Sequence, residues 1–508
     1  MIEIDGNHLS IEACKEIARQ NEEVRLSPEG KEAISNSRSR LEKILSKDKP
    51  VYGINTGFGI FAEKRILAAE SSRLSRNLIL SHAVGTGAPL PGETVRAAML
   101  VRANTLAKGF SGVREVLVQT LLDMLNRGVT PIVPSQGSLG SSGDLGPLSH
   151  MALVLTRGEP DRDNESGFAE FKGQVATGKA AMDQAGIERI LLGPKEGLAL
   201  NNGATFSAAI AALTVWDANR LLDLATAALA LSLEALLGCS QAFDPRIHQA
   251  RNHPGQQKIA TDVLEYIDGS TLINSTARVQ DAYSLRCAPQ VHGAVKDTLD
   301  HAATVTENEI NSATDNPLIF DPDVALSGGN FHGEPIGMVM DFLGIAMAEL
   351  GAISERRIFR LTDSKLNDGL PPMLVDHPEA AGLNSGLMMP QYTAASLVLE
   401  NQTLATPDSV HSLPTSGEQE DHNANAMTAA RHTRQIVDNV THIIAIEFYT
   451  AARALDLRLR QGDGYKMGKG THKVYDQIRT AVPYQPGDAW WGPEIEDIKA
   501  LLASIELL

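Results

Sequence analysis

The sequence predicts an all-α protein, a long central helical bundle preceded by a smaller, loop-rich N-terminal part, and three observations carry this. The segment 205–238, TFSAAIAALTVWDANRLLDLATAALALSLEALLG, is rich in Ala and Leu, with sparse polar residues at three- and four-residue intervals. That is the period of a long, mostly buried helix. Segments 335–360 and 422–459 read alike, the second placing Met427, Ala430, Ile436, Val440, Ile443, Glu447, Phe448 and Ala451 at helical spacing. Uncapped periods of this length point to parallel long helices or to helices shared between subunits, and β-hairpin signals are scarce.

Before residue 200 the texture changes. Gly and Pro punctuate VYGINTGFG (51–59), HAVGTGAPLPGE (82–93) and TPIVPSQGSLGSSGDLGPLSH (130–150), so loops held by shorter helices are expected. The expected division is 1–200, a globular part carrying the loops, and 201–508, the long-helix bundle.

Composition limits the function. The 508 residues carry 45 Lys plus Arg against 62 Asp plus Glu, a net charge of −17, which repels phosphate backbones and anionic membranes. No nucleic-acid or membrane partner is expected. Apolar residues at 43% and charged residues at 21% fit an ordered soluble protein. Cys14, Cys239 and Cys287 form no C-x-x-C pair, and the N-terminus has no apolar leader region, so a reducing cytoplasm is expected. Stretches 197–216 and 380–399 lack charge, but Asn201 and Asn202 in the first and Asn384, Pro390 and Gln391 in the second favour buried core segments over membrane spans.

The loop Gly137–His150, GSLGSSGDLGPLSH, has no G-K-[ST] ending, no G-x-G-x-x-G and no G-x-S-x-G, so phosphate cradling and esterase chemistry lose support. Its ordinary reading is a turn whose serines and Asp144 cap the next helix. It also has the parts of a backbone cyclisation: the amide nitrogen of Gly143, unhindered by a Cβ, can attack the carbonyl two residues back, and Ser142 can lose its hydroxyl as water to leave an electrophilic methylene. At these residues the chain resembles the histidine and aromatic amino acid ammonia-lyase family, whose loop reads G-S-V-G-A-S-G-D-L-A-P-L-S-H and forms a methylidene-imidazolone (MIO) from Ala-Ser-Gly. The resemblance implies an MIO from Ser141-Ser142-Gly143. Ser141, Leu139 and Gly146 depart from the pattern. Only the backbone carbonyl of the first residue enters the ring, so serine permits closure, although its hydroxyl competes for the same hydrogen bonds.

The resemblance runs through MIEIDG, YGINTGFG, the loop, LALNNG, YSLRCAPQ, NEINSATDNPL, NFHGEP, ISERRI, QYTAA and QEDH, in the family's order. It implies a fumarase/aspartase-like architecture and a homotetramer whose active sites are assembled from three subunits. Deamination needs an electrophile, a base and a carboxylate anchor. Tyr52 matches the family's tyrosine base, and a phenol of reference pKa about 10 needs positive potential to act near neutrality. Arg286, in QDAYSLRCAPQVHG, corresponds to the carboxylate anchor, with Gln280 and Tyr283 lining the same site; a structural Arg is the plainer alternative. Which of Tyr52, Tyr283 and Glu420 removes the β-proton stays open. Asn202 is expected beside the ring, and Asn201 before it either alters the pocket or caps a helix. Phe331 matches an aromatic wall. His332 and Glu334 lack a third ligand, and neither a metal nor a nucleotide is expected.

In the family a residue pair selects the side chain, and it is Ser-His in histidine lyases. Here it reads Ser81-His82, with Glu420 opposite in a Q-E-D-H context where phenylalanine lyases carry glutamine. A His and a carboxylate suit an imidazole with two nitrogens to satisfy and suit a bare phenyl ring poorly. The implied reaction is L-histidine to trans-urocanate and ammonia, the first step of histidine degradation. The alternatives are a tyrosine or phenylalanine ammonia-lyase or aminomutase of the family, a fumarase-like lyase, whose G-S-S-x-M-P-x-K-x-N-P signature is absent, and a helical interaction protein that has lost the prosthetic group. Intact Tyr52, Arg286 and Glu420 argue against the last. A loop between roughly Ala62 and Arg76 is placed to close over the site.

Overall fold

The apolar period of 205–238 folds as one helix, Thr205–Ala235, in a computed structural model that describes residues 1–47, 49–57, 61, 64–67, 70–158, 163–462 and 464–508. The helix ends where Leu237, at φ 53°, and Gly238 turn the chain away. The other two expected helices are Glu334–Thr362 and Ala426–Arg460. The second starts later than its apolar period because Asn425 sits at φ 48°. A further long helix, Ala288–Ile310, carries charges through its length that obscure its period. The fold is mainly helical, as its sequence predicts, with a few small sheets.

Two compact units divide the chain, and both are discontinuous: residues 1–216, 302–341 and 407–431 form the first, and 217–301, 342–406 and 432–508 the second. The division at residue 200 expected from texture does not coincide with them. Composition registers local punctuation, not which later segments return to an earlier part. Every change of unit except that at 406–407 also falls inside a helix, where no linker composition marks it.

In the first unit, helix Gly92–Ala107 is buried from Thr94 to Ala107, so it shows no apolar stripe. Helices Ile11–Gln20, Pro28–Ser46 and Glu115–Arg127 pack around it. Strands Ile2–Ile4 and Val24–Leu26 pair in parallel, and Phe168–Phe171 and Gln174–Thr177 form a hairpin across Lys172-Gly173, both at positive φ. Three shorter helices, Ser71–His82, Leu145–Leu155 and Glu196–Asn201, pack against one another. Their ends set up the site: His82 closes the first, Asp144 precedes the second and Asn202 follows the third.

In the second unit a buried ion pair ties long helices together. Glu447 accepts from Arg357 Nε at 2.5 Å and Nη2 at 2.8 Å, from Ser232 Oγ at 2.8 Å, and from the Ser354 hydroxyl. Arg357 and Glu447 are both fully buried, and with its partners in place the pair fixes the register of three helices. The uncharged stretch 197–216 is core, as expected. The stretch 380–399 is not: helix Met388–Leu404 leaves Met389 at 61%, Tyr392 at 61% and Leu399 at 65% exposed, and Leu383 before it is 90% exposed. Absence of charge marks a segment able to leave water, not one that the fold covers.

Candidate active site

A cavity of about 1300 Å³ opens in the first unit, with Tyr52, His82, Ser141, Ser142, Asn202, Phe331 and Glu420 in its wall. All seven come from the sequence-predicted set, and all belong to the first unit. They arrive on separate stretches: the turn after helix Pro28–Ser46, the end of Ser71–His82, the loop before Leu145–Leu155, the residue after Glu196–Asn201, the start of Glu334–Thr362, and the segment before Ala426–Arg460.

The loop is held by its backbone. Gly143 has φ 78°, and a Cβ there would lie 1.9 Å from the carbonyl carbon of Gly203, so only glycine fits. Gly203 N donates to Ser142 O at 3.0 Å, and Asp144 N donates to Gly203 O at 2.9 Å. Asn202 Nδ2 adds a second donor to Ser142 O at 3.0 Å. Leu139 O accepts from Ala424 N at 3.2 Å and Asn425 N at 2.8 Å, and Gly140 O accepts from Gly333 N at 3.0 Å. Segments far apart in sequence thus clamp residues 139–143.

Asp144 does not cap the helix that follows it. Its fully buried carboxylate instead accepts from Ser207 N at 2.8 Å, Ser207 Oγ at 2.9 Å and Ser138 Oγ at 2.8 Å, so it caps Thr205–Ala235 from across the chain. Burial pushes its carboxyl upward, and the hydrogen bonds from Ser207 and Ser138 oppose that by favouring the anion.

Glu420 touches both seryl hydroxyls. Ser141 Oγ donates to Oε2 at 2.7 Å and Ser142 Oγ donates to Oε1 at 2.9 Å. Backbone bonds with Thr415, 2.8 Å and 3.3 Å, hold Glu420 in place. Its expected position on the substrate side-chain wall therefore coincides with a position on the loop itself. His82 is half-buried, and burial lowers its pKa, while a bond to the Leu78 carbonyl and the charge of Glu420 pull upward. Its Nδ1 lies 2.9 Å from Ser81 Oγ.

Some residues have roles the sequence reading did not assign. Of the two alternatives expected for Asn201, a changed pocket or a helix cap, its position agrees with the first: the residue reaches the cavity wall, and the bond not foreseen is Nδ2 donating to Ser149 Oγ at 3.2 Å. His422, in the quoted Q-E-D-H motif, also lines the cavity; its ring stacks on His332 at 5.8 Å, and its carbonyl lies 3.2 Å from His332 Nε2. Among the described residues no group of three His, Cys, Asp or Glu could hold a metal.

Gln280, Tyr283 and Arg286 belong to the second unit and are not in the cavity wall. Tyr283 is 70% exposed, and the Arg286 guanidinium lies 4.5 Å over its ring while Nε donates to Asp281 O at 2.9 Å. Of the segment 62–76 expected as a loop, Ala62, Glu63, Ala68 and Ala69 lie outside the described residues, and residues 71–76 are not loop but the first turns of helix Ser71–His82. The segment's far end is anchored, because buried Arg76 donates to Thr156 Oγ1 at 2.7 Å.

A family model described as aromatic amino acid lyase matches residues 9–480. The chain belongs to the aromatic amino acid lyase family. As a member it is a carbon–nitrogen lyase that releases ammonia. It is similar to a histidine ammonia-lyase of Caldanaerobacter subterraneus, 50% identical over 94% of this chain and 92% of that protein. A histidine ammonia-lyase of Gloeobacter violaceus is 50% identical over 99% of this chain and 96% of that protein. Among solved structures, histidine ammonia-lyase from Trypanosoma cruzi superposes with a TM-score of 0.89 at 37% identity, covering 99% of this chain and 93% of that one. In this lyase Gly143, Gly203, Asp144 and Asn202 hold the loop.

Proposed function

We propose that this lyase converts L-histidine to trans-urocanate and ammonia, using an MIO formed from Ser141-Ser142-Gly143. The observation that carries the reading is the meeting, in one cavity wall, of His82 and Glu420 with that loop. Closure joins Gly143 N to the carbonyl carbon of Ser141; the carbonyl oxygen leaves as water with one hydrogen from Gly143 N and one from Ser142 N. The Ser142 hydroxyl then leaves as a second water with the Ser142 α-hydrogen, so no oxidant is consumed. The residues present fit the group: glycine is compulsory at 143, Ser142 O has two N–H donors, and Glu420 sits on the hydroxyl that must leave. When formed, the group supplies the electrophile that activates the amine as a leaving group.

The chain's own residues do the rest. His82 and Glu420 are the partners available to the imidazole nitrogens. Asn202 keeps a buried Oδ1 with no partner among the described residues, an acceptor for the substrate ammonium. Tyr52 is the wall's phenol and a candidate for removing the β-proton; Tyr283 and Glu420 are the others.

The carboxylate anchor, Arg286 with Gln280 and Tyr283, belongs to another copy in this proposal, which makes the enzyme a homotetramer with shared sites. The exposed apolar face of Met388–Leu404 supports such an assembly. A cytoplasmic location and the lack of nucleic-acid or membrane partners complete the reading, on free thiols and a charge of −17. The test is the mass of the Gly137–His150 peptide, expected two waters below the encoded value, with a panel of histidine, tyrosine and phenylalanine. His82→Leu should abolish histidine turnover; unchanged turnover refutes the pocket assignment.

A further inference from the structure

Glu420 spends its two oxygens on two different serines, and only one of those hydroxyls survives if the loop loses water as proposed above. Ser142 Oγ, 2.9 Å from Oε1, departs; Ser141 Oγ, 2.7 Å from Oε2, has no part in the ring and stays. We propose that Ser141 is a positioning residue for Glu420: it holds Oε2 in the mature enzyme and leaves Oε1 as the oxygen presented to the substrate's imidazole. The inference rests on the function proposed above and adds a residue to its specificity machinery.

The physical case is one of restraint. A glutamate side chain has several rotatable bonds, and fixing it costs rotamer entropy. Before dehydration two hydroxyls share that restraint. Afterwards the backbone pairing of Glu420 with Thr415 fixes the main chain but not the carboxylate. A bond from a buried hydroxyl to an anion is among the stronger neutral-to-charged bonds, and Ser141 is 7% exposed, so water competes poorly for it. With alanine at 141 neither hydroxyl remains, and Oε1 is no longer held toward the cavity. A serine there converts the dehydration step into an exchange: one oxygen of Glu420 is released while the other keeps its tether.

The experiment uses the full chain with Ser141→Ala, Ser141→Thr, Glu420→Ala and the Ser141→Ala/Glu420→Ala double variant. Three readouts are taken: the mass of the Gly137–His150 peptide, KM and kcat for L-histidine, and the affinity for trans-urocanate by calorimetry. The parent peptide should lie two waters below its encoded mass, with the Ser141 hydroxyl retained, and Ser141→Ala should lose the same two. Ser141→Ala should raise KM and weaken urocanate binding about tenfold with kcat changed less, and Ser141→Thr should restore both to within about twofold. In the Glu420→Ala background, Ser141→Ala should weaken urocanate binding no further.

A silent Ser141→Ala with complete two-water loss overturns the inference and leaves the proposed function standing. So do multiplicative losses in the double variant, failed cyclisation in Ser141→Ala, or a third water lost from the parent. The full encoded mass in the parent, with no histidine turnover, overturns both.

Discussion

Replacing Asp144 with alanine asks how much of the loop's order depends on one buried carboxylate. Several donors converge on it, among them the Ser138 hydroxyl at 2.8 Å, the Ser207 amide at 2.8 Å and the Ser207 hydroxyl at 2.9 Å, with the Phe206 amide beside them. The hydroxyls can turn to other acceptors. The Ser207 amide, in the first turn of Thr205–Ala235, cannot, and an unpaired buried donor costs about 1–3 kcal/mol, with about 1.5–3 kcal/mol more for a lost bond to a charge. Relief of keeping an anion away from water offsets part of this, since burial already pushes the carboxyl upward. The net expectation is about 3 kcal/mol for local opening, roughly 150-fold in the opening equilibrium. Hydrogen exchange read by mass spectrometry should show that loss of protection in peptides covering Gly203–Ser207. The fraction of Gly137–His150 peptide that has lost two waters should fall with it. Asp144→Asn, which keeps the size and one acceptor oxygen, should fall between. Protection within about threefold of the parent, together with complete two-water loss, would refute the reasoning.

Glu420→Gln keeps the shape but turns one accepting oxygen into a donor, so kcat/KM for L-histidine should drop about 10- to 100-fold with the loop mass unchanged; steady-state urocanate formation decides it, and a drop under about threefold speaks against the pocket. Gly203→Ala puts a methyl 2.6 Å from Thr314 Oγ1 at φ 112°, so a loss of more than about 2 kcal/mol and poor cyclisation are expected, while a well-folded, fully cyclised variant would contradict the close approach. Burial lowers the pKa of His82, His150, His248, His292 and His442. The folded state therefore binds fewer protons, and stability is complete above about pH 6.5 and declines as pH falls below it. His292→Gln should lessen that decline in thermal midpoint, since His292 is fully buried near Arg357; an equal slope in parent and variant counts against it.

Much of this was legible because some signals are local. The helices at 205–235, 334–362 and 426–460 announce themselves by period, and the largest differences at their ends fall where Leu237 and Asn425 adopt positive φ. Loop residues 141–143, Tyr52, His82, Asn202, Phe331 and Glu420 lay inside quotable motifs, and the chain does gather them. What was not legible depends on distant returns. Nothing near Asp144 says that its carboxylate caps a helix sixty residues on, or that residues 302–341 and 407–431 belong with the N-terminal unit. The exposure of 380–399 is hidden from the sequence for a related reason, since hydropathy does not record how much of a segment the fold covers. Gln280, Tyr283 and Arg286 illustrate it again: their motif is clear, yet they lie in the second unit and outside the cavity wall, which their spacing does not reveal.

The clamp on residues 139–143 also sets a timetable. Its hydrogen bonds come from Gly203, Gly333, Ala424 and Asn425, with the Glu420 carboxylate between. A nascent chain that has emerged only as far as the bundle carries the three reacting residues without most of the contacts that orient them. The clamped loop needs residues as far as 425 of 508, so the cyclisation proposed above would belong to the last fifth of synthesis or later. On that proposal, a truncation short of that point is expected to leave an ordinary Ser-Ser-Gly.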